Sequence, residues 1–154
     1  MGPIVCATRG GEAGRRTQER AIDLAREQGR ALVFLAVFDP CSVGHLNDDL
    51  SRAVEQEQRW LGRALLGIAR ARARRRGVTA RSVVRCGPVL ETIEAYLKEV
   101  DAAVLIIGEP KVDSALAAFQ PGRVQQFAEQ IGQDTGVEVV VVTPEPWFTE
   151  LPGG

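Results

Sequence analysis

The sequence predicts an α/β fold, a five-stranded parallel sheet with helices on both faces. Three observations predict it. Short apolar runs alternate with helical stretches in the order β-α-β-α-β-α-β-α-β, and such alternation implies parallel strands joined by right-handed crossovers. The runs ALVFLAVF (31–38) and AVLIIG (103–108) are apolar throughout, which suits strands buried on both faces. Finally, 154 residues with 45% hydrophobic and 25% charged content supply one ordinary core and exclude a disordered polymer. The domain is expected over 1–144, followed by a Pro-rich C-terminal tail over 145–154, with no second domain and no internal repeat.

Each element has a local reason. PIVCAT (3–8) is a compact apolar strand stopped by Arg9-Gly10-Gly11. A helix over 12–28 places Thr17, Ala21, Leu24, Ala25 and Gln28 on one face, and Gly29 supplies a left-handed stop. The strand 31–38 is closed by Asp39-Pro40. A long helix, roughly 46–76, follows, with Asn47 as its cap and Leu50, Ala53, Val54, Leu61, Ala64, Leu65 and Ile68 as the expected buried stripe. After Gly77, TARSVVR (79–85) alternates with polar residues, as an edge strand does. Pro88 is expected at the first position of a helix whose stripe is Val89, Ile93, Leu97 and Val100. The strand 103–108, a helix near 121–133 with Val124, Phe127, Ala128 and Ile131 inward, and the strand VEVVVV (137–142) complete the order.

Composition narrows the function classes. The net charge is −1, split into +5 over residues 1–77 (14 Arg, 9 acids) and −6 over residues 78–154 (5 bases, 11 acids). A balanced domain of this kind is not built as a general nucleic-acid binder. The apolar runs stop well short of the ~20 residues of a bilayer span. The N-terminus enters a strand directly, without a charged-then-apolar leader, so a cytoplasmic location is expected. Cys6, Cys41 and Cys86 are odd in number and widely spaced, which argues against a disulfide framework.

Three passages carry a family resemblance: IVCATRGGEAGRRTQERAIDLAREQG (4–29), GPVLETIEAYLKEVDAAVLIIG (87–108) and RVQQFAEQIGQDTGVEVVVVTP (123–144). From about Pro3 to Pro144 the chain resembles the universal stress protein family. The resemblance implies a Rossmann-like sheet, similar to the adenine nucleotide alpha hydrolase-like folds, of strand order 3-2-1-4-5. Members that bind ATP carry Gly, two residues, Gly, nine residues, then Gly followed by Ser or Thr. Glycines there admit backbone N–H groups to the phosphates, and the hydroxyl adds a donor. At that spacing this chain has Gly108, Lys111 and Pro121-Gly122. Only the first glycine stands, the hydroxyl is gone, and Pro121 has no N–H to offer. The family's ATP binders also commonly have an acid after the first strand, where this chain has Arg9. The resemblance therefore implies a member with a degenerate ATP-binding motif.

Ligands of such sheets bind beyond the carboxyl ends of the strands, where strand order reverses. The candidate cleft residues there are Thr8, Arg9, Gly10 and Val37 on the first two strands, and Gly108, Lys111, Gly122 and Arg123 on the fourth strand and its crossover. Arg9, Lys111 and Arg123 invite an anion held by charge; the plainer reading pairs Lys111 and Arg123 with Glu109 or Asp113 as solvated loop residues. Val112–Phe119 is more apolar than a phosphate loop and reads equally as a filler of the space a nucleotide takes in relatives, a lid or a second partner surface. Gly10-Gly11-Glu12 reads as a plain tight turn, lacking the third glycine of a dinucleotide fingerprint.

Other features are assigned to structure. Cys41, His45 and Cys86 fall short of a zinc set, with one His and no CxxC pair; inert or redox-sensitive thiols are the readings kept. Arg70, Arg72, Arg74, Arg75 and Arg76 crowd the end of the long helix, where cations offset the negative dipole end. Trp60 is expected to pack beside the buried stripe. Trp147, Phe148 and Leu151 in the tail need cover, and the valines Val139, Val140 and Val141 on the other edge strand invite pairing with a second copy. Relatives often dimerise through this strand, so the candidate dimer interface is Val139, Val140, Val141, Trp147 and Phe148.

The expectation is a non-enzymatic stress-response or regulatory module, a homodimer acting through a protein partner, with no cofactor and no metal, and ATP or AMP disfavoured. No catalytic triad or metal set is legible. The alternative is a sensor of a nucleotide or another anionic small molecule using a non-standard pocket at the sheet's carboxyl edge.

Overall fold

The computed structural model describes residues 2–8, 14–39, 48–108 and 123–143, with the backbone alone at Asp48 and Arg123. Five strands, β1 (Ile4–Ala7), β2 (Leu32–Phe38), β3 (Ala80–Cys86), β4 (Val104–Gly108) and β5 (Glu138–Val142), form one sheet of order β3-β2-β1-β4-β5. Every pairing is parallel. The crossovers carry α1 (Arg15–Gln28), α2 (Asp48–Arg75), α3 (Val89–Glu99) and α4 (Arg123–Thr135).

Strand periodicity sorts the core into two layers. Ile4, Cys6, Phe34, Ala36 and Ile106 point toward α1 and α2, where they meet Ile22, Ala25, Leu66, Ala69 and Ala73. Val5, Val33, Leu35, Leu105 and Ile107 point the other way, toward Ile93, Tyr96 and Leu97 of α3 and Ala128 and Ile131 of α4. The first two crossovers thus cover one face and the last two the other. Strand order reverses between β1 and β4, at the register pairs Ile4–Val104 through Ala7–Ile107.

The ends of α1 and α3 follow local chemistry. Gly29 adopts φ 61°, and its N–H returns to the Ala25 carbonyl, closing α1 as expected. Pro88 is the cap of α3 rather than its first helical residue. Its φ of −56° and ψ of 131° are extended, so the ring sits one position earlier than expected. Val89 is therefore 42% exposed, and Leu90 takes its place against the core. Gln28, expected inward, is exposed on the last turn of α1, while Gln18 and Ile22 join the buried face.

The long helix carries the main correction. Leu50, Leu61 and Ile68 are 48%, 49% and 45% exposed, and Ala53 and Ala64 are exposed with them. The buried face is instead Gly62, Leu66, Ala69 and Ala73. Small residues let α2 lie close on β2 and β3. A Cβ at Gly62 would stand 2.8 Å from the Phe38 ring. The larger residues lie on the opposite side, and Trp60, expected to pack, is 71% exposed.

The cluster of arginines at the end of α2 does specific structural work. Arg70 donates to the Ala80 carbonyl (3.1 Å), Arg72 to Gln18 Oε1 (2.7 Å) and Arg76 to Asp23 Oδ1 (2.8 Å). These bonds tie α2 to β3 and α1.

Candidate functional site

Three segments beyond the carboxyl ends of the strands, 9–13, 40–47 and 109–122, lie outside the described residues. Arg9, Gly10, Lys111 and Gly122 fall in them, as do Cys41, His45 and Asn47. The Arg123 side chain and the tail residues Trp147, Phe148 and Leu151 are likewise outside. What the structure describes is the floor of the candidate cleft.

That floor is built from the last residues of β1 and β4 and the first turn of α1. Ala7 stands opposite Ile107, so Thr8, just past the end of β1, and Gly108, the last residue of β4, follow that pair at the switch point. Both turn to the α1 side. Thr8 N–H donates to the Leu35 carbonyl (2.9 Å), which holds the end of β1 against β2. Its hydroxyl accepts a long 3.5 Å bond from Gln18 Nε2. Gln18 is fully buried and its Oε1 accepts from Arg72. A polar relay therefore runs from α2 through α1 to the end of β1.

Gly108 meets Thr17. A Cβ at position 108 would clash with the Thr17 hydroxyl, so this glycine has a packing reason of its own. Val37 stands apart from this pair. It pairs with Arg85 in the register of β2 and β3, and its side chain packs with the α3 and α4 layer. The structure thus joins Thr8 with Gly108 and places Val37 on the opposite face. Thr17 was visible in the sequence as an inward residue. Gln18 and Arg72 were not, because a buried glutamine and its arginine 54 residues away form no local pattern.

Two shallow grooves flank the sheet. One, about 300 Å³, lies beyond β3 and is bordered by Cys86, Gly87, Thr92 and Tyr96. Arg85 stacks over the Tyr96 ring at 5.4 Å and pairs with Glu99 at 3.2 Å along its wall. Gly87 is required here: its φ is 146° and a Cβ would press on Thr92 Oγ1 at 2.6 Å. The other groove, about 410 Å³, follows the sheet edge and is bordered by Gln125, Ala128, Glu129, Gly132, Val139 and Val141.

Neither described thiol is activated. Burial pushes the Cys6 thiol far up, and its Sγ contacts the Thr17 carbonyl at 4.0 Å. Burial also raises Cys86; Arg59 opposes the shift and Glu55 adds to it. Both are poor thiolates at neutral pH. Among the described residues no group of three His, Cys, Asp or Glu side chains is placed to hold a metal ion. None of their helices is long and apolar enough to cross a membrane.

Residues 1–143 match the model of the universal stress protein family. The chain belongs to that family. No curated protein matches it. Solved universal stress proteins share its fold. One from Burkholderia pseudomallei is 20% identical, with 90% of this chain and 94% of that one covered and a TM-score of 0.67. A universal stress protein solved in complex with cAMP is also 20% identical, with 92% and 96% covered and a TM-score of 0.64. One from Arabidopsis thaliana, solved with AMP bound, is 15% identical, with 97% of each chain covered and a TM-score of 0.65. The family's sheet order, 3-2-1-4-5, is the order found here.

Proposed function

We propose that this universal stress protein is a cytoplasmic, non-enzymatic stress-response module that works through dimerisation and a protein partner and does not hold ATP in the family's usual way. The observation that carries the reading is the sequence at the motif spacing: Lys111 and Pro121-Gly122 follow Gly108. At the motif spacing a lysine replaces a glycine whose bare backbone would admit the triphosphate, and a proline, which has no N–H to donate, replaces the next. The retained Gly108 does not argue for a phosphate, because it is needed for packing on Thr17 whether or not one is bound.

Dimerisation is assigned to β5. It is an edge strand, paired with β4 alone among the described residues. Val139 and Val141 are half-buried beside the groove along α4, and an open edge of valines is a template for a second copy. Trp147 and Phe148 extend the proposed interface in sequence.

A second reading rests on the neighbours solved with cAMP and AMP. A monophosphate asks less of the motif than a triphosphate does. The anion would then be held by Arg9 and Lys111 above the Thr8–Gly108 floor.

Thermal shift with ATP, AMP, cAMP and inorganic phosphate separates the readings. A ligand at 100 times its dissociation constant adds about 2.7 kcal/mol. No shift with any of them is expected. A shift with ATP that Lys111→Ala abolishes overturns the proposal, and a shift confined to AMP or cAMP selects the second reading. For the dimer, Val140→Asp is expected to give a monomer by light scattering. Val140 packs on the α1 layer and Val141 on the opposite one, so far-UV circular dichroism of Val140→Asp and of Val141→Lys accompanies the mass. A wild-type mass in both folded variants removes β5 as the interface.

A further inference from the structure

We propose that the outward face of α2 is a second self-association surface, on which another copy of this chain docks its own α2 antiparallel. The helix has 28 residues and two apolar faces. The inner one is used by the sheet. The outer one runs through Val54, Glu57, Leu61, Ala64, Ile68 and Ala71, an alternating spacing of three and four residues. That spacing keeps the six on one stripe, as the seam of a paired helix requires. Leu61 and Ile68 are 49% and 45% exposed, and Trp60 beside them is 71% exposed. Glu57, Ala64, Gly67 and Ala71 are exposed as well.

Size and charge select the occupant and its direction. Val54, Leu61 and Ile68 form one set of alternate seam positions; Glu57, Ala64 and Ala71 form the other. Parallel pairing would set large residues against large and leave alanine against alanine. Antiparallel pairing sets Leu61 opposite Ala64, Val54 opposite Ala71 and Glu57 opposite Ile68 of the second copy, and brings Trp60 over its Gly67; it keeps the two Glu57 side chains apart, whereas parallel pairing would place them together. Charge agrees. Residues 48–61 hold four acids and two arginines, whereas residues 62–75 hold five arginines and no acid. Arg70 and Arg72 are held by Ala80 and Gln18, and Glu55 by Arg59; of the remaining charges, antiparallel docking brings exposed Asp49 near exposed Arg74 and Arg75 of the other copy. The chain thus carries its own complement. A seam of about 18 residues is ~27 Å long, which gives an interface at the low end of the specific range of ~1,200 Å², so the association is reversible. This surface lies over β2 and β3, away from β5, so it is independent of the edge-strand dimer.

Sedimentation velocity over a concentration series tests it. The wild type is expected to show a concentration-dependent association step that Leu61→Glu and Ile68→Glu each remove and Val140→Asp leaves in place. These α2 positions are exposed, so circular dichroism and melting temperature are expected to match the wild type. Orientation is read in a chain with Cys41→Ser and Cys86→Ser. Oxidising a mixture of Leu61→Cys and Ala64→Cys proteins, one carrying a size tag, is expected to yield the mixed cross-link in excess over either self-cross-link. Unchanged sedimentation of both folded α2 variants overturns the proposal. So does a wild type without the step, which is the result if another part of the chain covers the face. An excess of the Leu61→Cys self-cross-link overturns the antiparallel arrangement.

Discussion

Gly108 and Thr17 touch: no side chain fits at the end of β4 without displacing the hydroxyl on the first turn of α1. The contact sets how closely helix and strand approach at the switch point. It also means that a motif glycine here serves the fold.

Gly108→Ala should therefore destabilise the protein. Overpacking of this kind costs about 1–3 kcal/mol, a fall of several degrees in melting temperature. Thr17→Ala in the same chain should recover most of the loss, since the conflict is with the hydroxyl. A Gly108→Ala protein melting with the wild type would falsify the close approach.

The relay under the cleft is the second test. Arg72→Met removes the 2.7 Å donor to the buried Gln18 Oε1. Losing such a partner costs about 1–3 kcal/mol. Arg74→Met, two positions along on an exposed site, should stay within ~0.5 kcal/mol. Urea denaturation of both variants reads the difference, and equal midpoints would show that Arg72 does not support Gln18.

A pH dependence follows from α3 and α4. Partial burial pushes Glu94 up, Asp134 across the helix pair adds to the shift, Lys98 opposes it and Glu91 reinforces it. Asp134 accepts from Gln130 Nε2 at 2.9 Å and is held down. A carboxyl raised in the folded state favours folding at acid pH, and that contribution is lost as pH rises through its folded value. Glu94→Gln should thus raise the melting temperature at pH 7–8, with the gain shrinking below the ordinary glutamate range. A gain that grows on acidification would reverse the assigned sign.

Thiol accessibility is the fourth. In a Cys41→Ser chain, a disulfide reagent at neutral pH should modify Cys86 slowly and Cys6 only on unfolding, given their raised values and the burial of Cys6. Two thiols titrating rapidly in the native protein would contradict the core placement of Cys6.

Much of the fold was legible because its signals are local. The apolar runs at 31–38 and 103–108, the glycine after Gln28 and the alternating strand before Cys86 each carry their structure within a few residues. The α2 stripe misled because hydropathy weights size. Leucine and isoleucine mark one face, yet the sheet selected Gly62, Ala69 and Ala73, which permit close approach. Trp60 followed that inverted assignment. At the cleft, Thr8 and Gly108 were found from strand ends, while Val37 was grouped with them although strand periodicity turns it to the other layer.

The sequence by itself determined the element order, the parallel sheet and the family, since each depends on residue type and short spacing. Tertiary structure alone decided which face of α2 is buried, that Arg72 and Gln18 meet, and that Gly108 answers to Thr17. Those are contacts between distant segments, and close packing selects them by shape, which no stretch of chain encodes alone.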